Sequence, residues 1–268
     1  MTAGLPLAIG PLELGLAVAF VLASGCVSLA YGLGLARDLF WGTVRTFAQL
    51  FAMGWALKFI FGLTMSLPVL AVYVLMVALA ARIVLKRVKE PGLSLGLPLF
   101  GAMLGSYALV AVMVTGVVVN ASPWWLPQYF LPLGGMIIGN SMNALAISLE
   151  RLFSLLRQRR DEVEMRLSLG ADASEASRPL VREAVKAGMI PSINAMMGVG
   201  VVFIPGMMTG QILAGADPML AVRYQIVVML MLTASSALSA VLVIHMARRR
   251  CFTDAHQLKL RPETDTQP

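Results

Sequence analysis

The chain has 268 residues, of which 58% are hydrophobic and only 13% charged, and its mean hydropathy of +0.80 lies well outside the balance of a water-soluble domain. A net charge of +7 would suit nucleic acid or anionic lipid, but the basic residues alternate with hydrophobic spans, which points to the lipid bilayer and away from nucleic acid. Only two cysteines are present, Cys26 in an apolar run and Cys251 near the C-terminus, so a disulfide framework is excluded as well.

Uncharged runs of about 20 residues are long enough to cross a hydrocarbon core, and they recur along the chain. Leu14 to Ala36 is the first. Glu13 precedes it and no basic segment does, so it reads as a retained helix over 12–35 and not as a cleaved signal. Thr46 to Ala81 holds two passes, 44–62 and 68–85, separated by "GLTMSLP" at 62–68, with Lys58 near the end of the first. Arg45 and Gln49 share a helical face by their i,i+4 spacing, near the inner boundary. They are placed to contact cytoplasmic loops or a soluble partner. Between Glu90 and Glu150 lie 59 uncharged residues, enough for passes at 96–119 and 124–149 joined by "NASPWW" at 120–125. The run 187–216 supplies a pass at 189–214, and Tyr224 to Ala247 one at 222–247.

The expected fold is therefore all-α, a polytopic membrane protein of about seven transmembrane helices. The membrane domain covers 1–247, and a basic then polar tail covers 248–268. With these helices, 19 of the 21 Lys and Arg residues fall on one side, Lys58 and Arg223 being the exceptions. This asymmetry is the positive-inside signal. It places the N-terminus outside and the C-terminus in the cytoplasm, and the expected location is the cell inner (plasma) membrane.

The polar segment 150–188 interrupts the hydrophobic pattern. Leu152, Leu155, Leu156, Val163 and Leu167 suit an amphipathic helix that Gly170 would stop. Asp172 and Ser174 can cap a following short helix, expected to end near Pro179. A helix, a break and a helix on the cytoplasmic face result, either an ordinary solvated connection or a contact for a partner.

No G-x-x-x-x-G-K-[ST] loop, H-E-x-x-H pair or Cys/His cluster at metal-ligand spacing occurs. No catalytic residue is identified and no bound cofactor is expected. Uphill transport would draw on an ion gradient or on another protein. Within the membrane, "GMIIGN" at 135–140 and "GMMTGQ" at 206–211 share the pattern G-M-x-x-G followed by a carboxamide. Asn140, Ser141, Asn143, Thr209 and Gln211 stand in otherwise apolar sequence, and Pro205 with Gly206 breaks a helix. Two readings remain open. Glycines, methionines and hydroxyls serve helix packing, while a broken helix with polar groups lines a transport cavity. The pairs Met196-Met197 and Met207-Met208 invite the same choice, since thioethers suit soft ions such as Cu(I). A metal site is left unassigned. Arg223, six residues after Asp217, would pair with it at the outer surface or contact substrate.

"EVEMRLSLGADASEA" at 162–176 resembles the acidic helix and Leu-Gly-Ala turn with which ABC-transporter permeases engage their ATPases, which would give Glu162, Glu164, Leu169, Gly170 and Ala171 a coupling role. Taken in order, "GMIIGNSMNA" at 135–144, "EVEMRLSLGA" at 162–171, "IPSIN" at 190–194, "PGMMTGQILAG" at 205–215 and "AVRYQI" at 221–226 resemble the FetB-type iron-export permease family, whose plant relatives are half-size membrane subunits of aluminium tolerance. The likeness covers about residues 10–247. It implies a non-catalytic permease subunit exporting iron or a related metal, in a homodimer with two separately encoded ABC ATPases that use ATP and Mg. It also implies a link to oxidative-stress resistance in bacteria and, in plants, to nucleotide-sugar transport. Met207 and Met208 join Asn140, Ser141, Asn143, Pro205, Gly206, Thr209 and Gln211 on the expected substrate pathway. A secondary transporter or channel without an ATPase, an ABC permease for a nucleotide sugar, and a membrane scaffold recruiting a soluble partner are the rival expectations.

Overall fold

A computed structural model describes residues 10–63, 65–88, 93–253 and 255–260. Thr64 in the "GLTMSLP" turn, Lys89, Glu90 and Arg261 in the charge pattern, and 261–268 of the tail lie outside the described residues. The chain is helical almost throughout and divides into two compact units, one holding 10–63 with 210–216 and the other 65–209 with 217–260.

The first unit contains α1 (Pro11–Ala30) and α2 (Ala36–Ile60). Pro11 opens α1, where its missing N–H costs nothing. Gly32 and Gly34, with φ of +61° and +69°, turn the chain between the two helices, which pack on each other.

The second unit contains α3 (Ser66–Val88), α4 (Gly96–Met113) running on through a π turn at Val114–Val118, α5 (Pro127–Gln158), α6 (Arg160–Ser168), α7 (Ala173–Gly198) and α9 (Pro218–Cys251). α8 (Gly206–Leu213) crosses the division after Thr209. α5 is the centre of this unit and packs on α3, α7 and α9, while α4 packs on α3 and α9. Small residues set these distances. A Cβ on Gly134 would lie 2.6 Å from the Tyr73 ring, and one on Gly188 of α7 would collide with Ser148 and the Ala144 carbonyl of α5. Around these contacts Tyr73, Tyr107, Phe130, Ile137, Leu145, Leu149, Phe153 and Leu156 are fully buried, close-packed as a soluble core would be. Large apolar side chains such as Leu75, Leu79 and Ile83 of α3 are exposed, the outward face expected where lipid is the solvent.

Among the described residues, five helices are long and apolar enough to cross a membrane: α1, α3, α4 with its π turn, α5 and α9. α2 and α7 have 25 and 26 residues. Both are long enough, but Arg37, Asp38, Arg45 and Lys58 lie in α2, and Glu175, Arg178, Arg182, Glu183 and Lys186 in the first half of α7.

Several expected boundaries are corrected. α2 begins at Ala36 and not at 44, because the Gly32–Gly34 turn ends α1 early. α5 continues nine residues beyond 149, since Leu152, Phe153, Leu155 and Leu156 keep its buried stripe going. The short helix expected to stop near Pro179 instead runs on to Gly198 with Pro179 and Pro191 inside it. A proline removes one backbone hydrogen bond, and burial of Leu180, Val181, Ala184 and Gly188 against the neighbouring helices outweighs that loss. Conversely, the pass expected over 189–214 is broken, with residues 199–205 irregular.

Candidate functional site

The break after α7 is stabilised locally. Gly200, at φ +82°, donates its N–H to the Phe203 carbonyl at 2.9 Å, and Val202 N–H returns to the Gly198 carbonyl at 2.8 Å. This tight loop delivers Pro205 and Gly206 to the start of α8. It also brings together two stretches far apart in the chain. Met136 and Asn140 from "GMIIGN" and Pro205, Gly206 and Met207 from "PGMMTGQ" line one cavity of about 370 Å³. α7 contributes Ser192 to the same wall, and α9 contributes Gln225, Met229 and Thr233.

Behind the cavity lies a buried polar seam. Asn140 Nδ2 donates to Ser192 Oγ at 3.2 Å and to Ser236 Oγ at 3.0 Å. Ser141 and Ser235 hydroxyls share a hydrogen bond of 2.9 Å. These bonds tie α5 to both α7 and α9. The Tyr107 hydroxyl faces Ser239 and Ser141 from α4 but makes no hydrogen bond of ordinary geometry. Thr233 Oγ1 lies 2.8 Å from Met196 Sδ and 3.1 Å from the Met229 carbonyl. Gln225 is 6% exposed, and its Oε1 is buried without a hydrogen-bond partner. A buried amide oxygen left without a partner is costly. A second cavity of about 460 Å³ shares Ile204, Pro205, Gln225 and Met229 with the first and adds Met196 and Met208.

Not every expected pathway residue reaches this wall. Asn143 is exposed on another face of α5. Thr209 is exposed, and its hydroxyl donates to the Pro205 carbonyl at 3.1 Å, back-bonding across the first turn of α8. Gln211 belongs to the other unit, with its Oε1 buried and unpartnered. Ser141 lies behind the cavity, in the seam. Sequence reasoning missed Ser192, Gln225, Thr233, Ser235 and Ser236. The signal available was a run of polar residues at helical spacing along α9, Gln225, Ser235, Ser236 and Ser239, inside an otherwise apolar span.

The polar segment builds an elbow. Gln158 ends α5, and α6 follows at an angle set by Arg159. Glu162 pairs with Arg159 at 2.6 Å and Arg166 at 2.7 Å, and Glu164 with Arg160 at 2.6 Å. The acidic residues are thus held by their own helix. Gly170, at φ +95°, ends α6 in the left-handed conformation that favours glycine, and Ala171 N–H closes the turn on the Arg166 carbonyl at 3.1 Å. Leu169 at the apex is 79% exposed. Asp172 then starts α7 with a reciprocal capping box. Its carboxylate accepts the Glu175 N–H at 2.7 Å, and Glu175 accepts the Asp172 N–H at 3.1 Å. The Glu175 N–H holds the Asp172 carboxyl below its usual range. Arg151 of α5 pairs with Glu183 of α7, fixing the two arms.

The tail also reaches the elbow. Past α9, Phe252 bridges to Leu258, and Phe252, Leu258 and Leu260 are buried. Arg160 Nη1 donates to the Leu260 carbonyl at 2.9 Å, and Ala173 N–H to His256 Nδ1 at 3.3 Å. A groove of about 690 Å³ runs between 160–172 and 255–258.

Arg45 and Gln49 are exposed on α2. Arg223 is exposed on α9 and the expected pair with Asp217 is absent among the described residues, because the Asp217 carboxylate instead caps α9 by accepting the Leu220 N–H at 2.9 Å. Neither cavity wall carries a charged side chain. No group of three or more His, Cys, Asp or Glu that could hold a metal occurs among the described residues.

Residues 11–252 match the family described as "Uncharacterised protein family (UPF0014)". The chain is 37% identical over 227 residues to a UPF0014 membrane protein of Synechocystis, covering 85% of this chain and 88% of that one. It is 31% identical over 246 residues to the probable iron export permease protein FetB of Escherichia coli, covering 92% and 93%, and 29% identical over 250 residues to the protein ALUMINUM SENSITIVE 3 of Arabidopsis thaliana, covering 91% and 88%. No solved structure matches. The chain belongs to the UPF0014 family of membrane proteins.

Proposed function

We propose, from membership of this family, that the chain is the membrane-spanning permease subunit of an ABC transporter that exports iron or a related metal ion. ATP and Mg are used by a separate ATPase, and the permease itself holds no catalytic centre or cofactor. The working assembly is a homodimer of permease with two ATPases in the inner (plasma) membrane. Seven passes cross it, α2 and the broken pass over 189–214 included, with the N-terminus outside and the C-terminus cytoplasmic.

The observation that carries this reading is the continuity of α7. One uninterrupted helix runs from the Asp172 cap at the elbow to Ser192 in the cavity wall, a lever of roughly 30 Å at 1.5 Å per residue. An apolar, exposed Leu169 at a rigid apex suits insertion into a cleft of a partner. Pushing the apex displaces Ser192 and, through Asn140, the α5 and α9 walls it is bonded to. Iron enters the reading through the Escherichia coli relative, a probable iron export permease protein. The sequence has no G-x-x-x-x-G-K-[ST] loop of its own, so a motor that binds the elbow would supply the motion.

Co-expression with the candidate ABC ATPase, followed by purification in detergent, tests the reading. The two proteins are expected to co-purify, and Leu169→Asp is expected to abolish association while leaving the permease monodisperse. Association that survives Leu169→Asp together with a second elbow change, Gly170→Val, would contradict it. Substrate movement by the permease alone would favour a secondary transporter or channel.

A further inference from the structure

We infer that the cavity between α5, α7, α9 and the 203–207 segment is a soft-cation site, built to take a monovalent thiophilic ion of the Cu(I) or Ag(I) class. This rests on the transport-pathway reading for its biological use, but the binding chemistry stands on the cavity itself. Three methionines, Met136, Met207 and Met229, line it together with Asn140 and Gln225. Met196 and Met208 line the adjoining cavity that shares Met229 and Gln225.

Three features of this wall select among ions. The first is charge. No Asp, Glu, Lys, Arg or His lines it, and the cost of desolvating an ion rises with the square of its charge. Without a carboxylate to compensate, a monovalent ion is favoured over a divalent one and far more over a trivalent one. The second is donor softness, since thioether sulfur binds Cu(I) well and hard ions poorly. The third is the unpartnered Gln225 Oε1, 94% of whose residue surface is buried. Gln225 lines this methionine-rich wall, and a side-chain rotation that brings its neutral Oε1 to a bound cation would supply the partner that oxygen lacks. Thr233, hydrogen-bonded to Met196 Sδ at 2.8 Å, orients that sulfur while leaving it a second lone pair. Met197, by contrast, is 78% exposed and lines neither cavity, so the tandem pair Met196-Met197 divides into one inward and one outward sulfur.

The test uses the full chain in detergent with Cys26 and Cys251 replaced by serine, which removes the only thiols. Ag(I), redox-inert, serves as the probe and is followed by equilibrium titration and silver-edge X-ray absorption. One tight site per chain with sulfur scatterers at Ag–S distance is expected, and selenomethionine labelling should replace those scatterers by selenium. Met207→Leu with Met229→Leu, near-isosteric changes, should weaken Ag(I) binding at least tenfold, whereas Met197→Leu should leave it unchanged. Fe(III) and Mn(II) should not compete. An oxygen-only coordination shell, undiminished affinity in the double leucine variant, or equal competition by Mn(II) would overturn the inference. ATP-driven metal transport by a chain whose Ag(I) affinity is undiminished in the double leucine variant would overturn it too, while sparing the permease reading. Tight sulfur-bound Ag(I) without any ATP-driven transport would uphold the site and sink the permease reading instead.

Discussion

Gly188 shows how narrow the tolerances are where α7 meets α5. A methyl there would overlap the Ser148 hydroxyl and the backbone carbonyl of Ala144, and backbone cannot step aside as a side chain can. Gly188→Ala is expected to cost about 1–3 kcal/mol, the range for overpacking a filled interior, seen as a lower unfolding temperature in detergent. Ser148→Ala in the same chain should recover only part of the loss, because the Ala144 carbonyl remains. At the elbow, Asp172 makes a pH prediction. Its folded carboxyl titrates below the usual range because it accepts the Glu175 N–H, so the cap it supplies is fully present above the unfolded value and is lost as pH falls through the depressed folded value. Protection of the Glu175 and Ala176 amides, after allowance for the intrinsic slowing of exchange in acid, should fall over that window. Asp172→Asn, which keeps an acceptor and does not titrate, should flatten the response. Sequence alone marks Asp172 as a cap and Asn140 as an unusual residue in lipid, since both facts are local. It does not find Ser192 or Ser236 as the partners of Asn140, because a serine within an apolar helix looks like packing until the facing helix is known.

The elements teach the same lesson in the other direction. Pro179 reads as a helix terminator, yet α7 passes through it. A strong capping box starts the helix, and four buried residues on the following turns hold it, so one lost hydrogen bond does not end it. Gly170 is legible for the opposite reason. A helix that stops in the left-handed region needs glycine whatever the tertiary context. Gly170→Val would strain that turn by something like 1–2 kcal/mol, too little to unfold a bundle of this size but enough to re-aim α6. Membrane abundance should be normal and ATPase association weakened, checked by co-purification. The tail is illegible because its partners are about a hundred residues away, and the family match ends at Phe252. Removing residues 253–268 would expose Phe252 and delete the Arg160 contact, so hydrogen exchange across 160–169 should rise while the remaining helices stay protected. Unchanged exchange there would mean that the tail does not brace the elbow.

For the whole molecule, lipid solvation makes the class obvious from composition, and the number of apolar runs follows from helix rise and bilayer thickness. Which runs become single helices depends on contacts between them. The segment 187–216 is uniformly uncharged, yet it divides at 199–205, and the break is what brings the two G-M-x-x-G stretches to one cavity. Accessibility labelling of Ser122→Cys and Ser174→Cys should show them on opposite sides of the membrane, and reaction from one side would refute the proposed topology. The central claim is that an external ATPase moves ions through this cavity by way of α7. Proteoliposomes holding the permease and its ATPase, supplied with ATP and a panel of Fe(II), Ag(I), other divalent metals and nucleotide sugars, test it most directly. The account predicts ATP-dependent transport of a metal ion that is lost in Gly170→Val and in Asn140→Leu with the assembly intact in the second. Transport that proceeds without ATPase, or that is untouched by both changes, would contradict it.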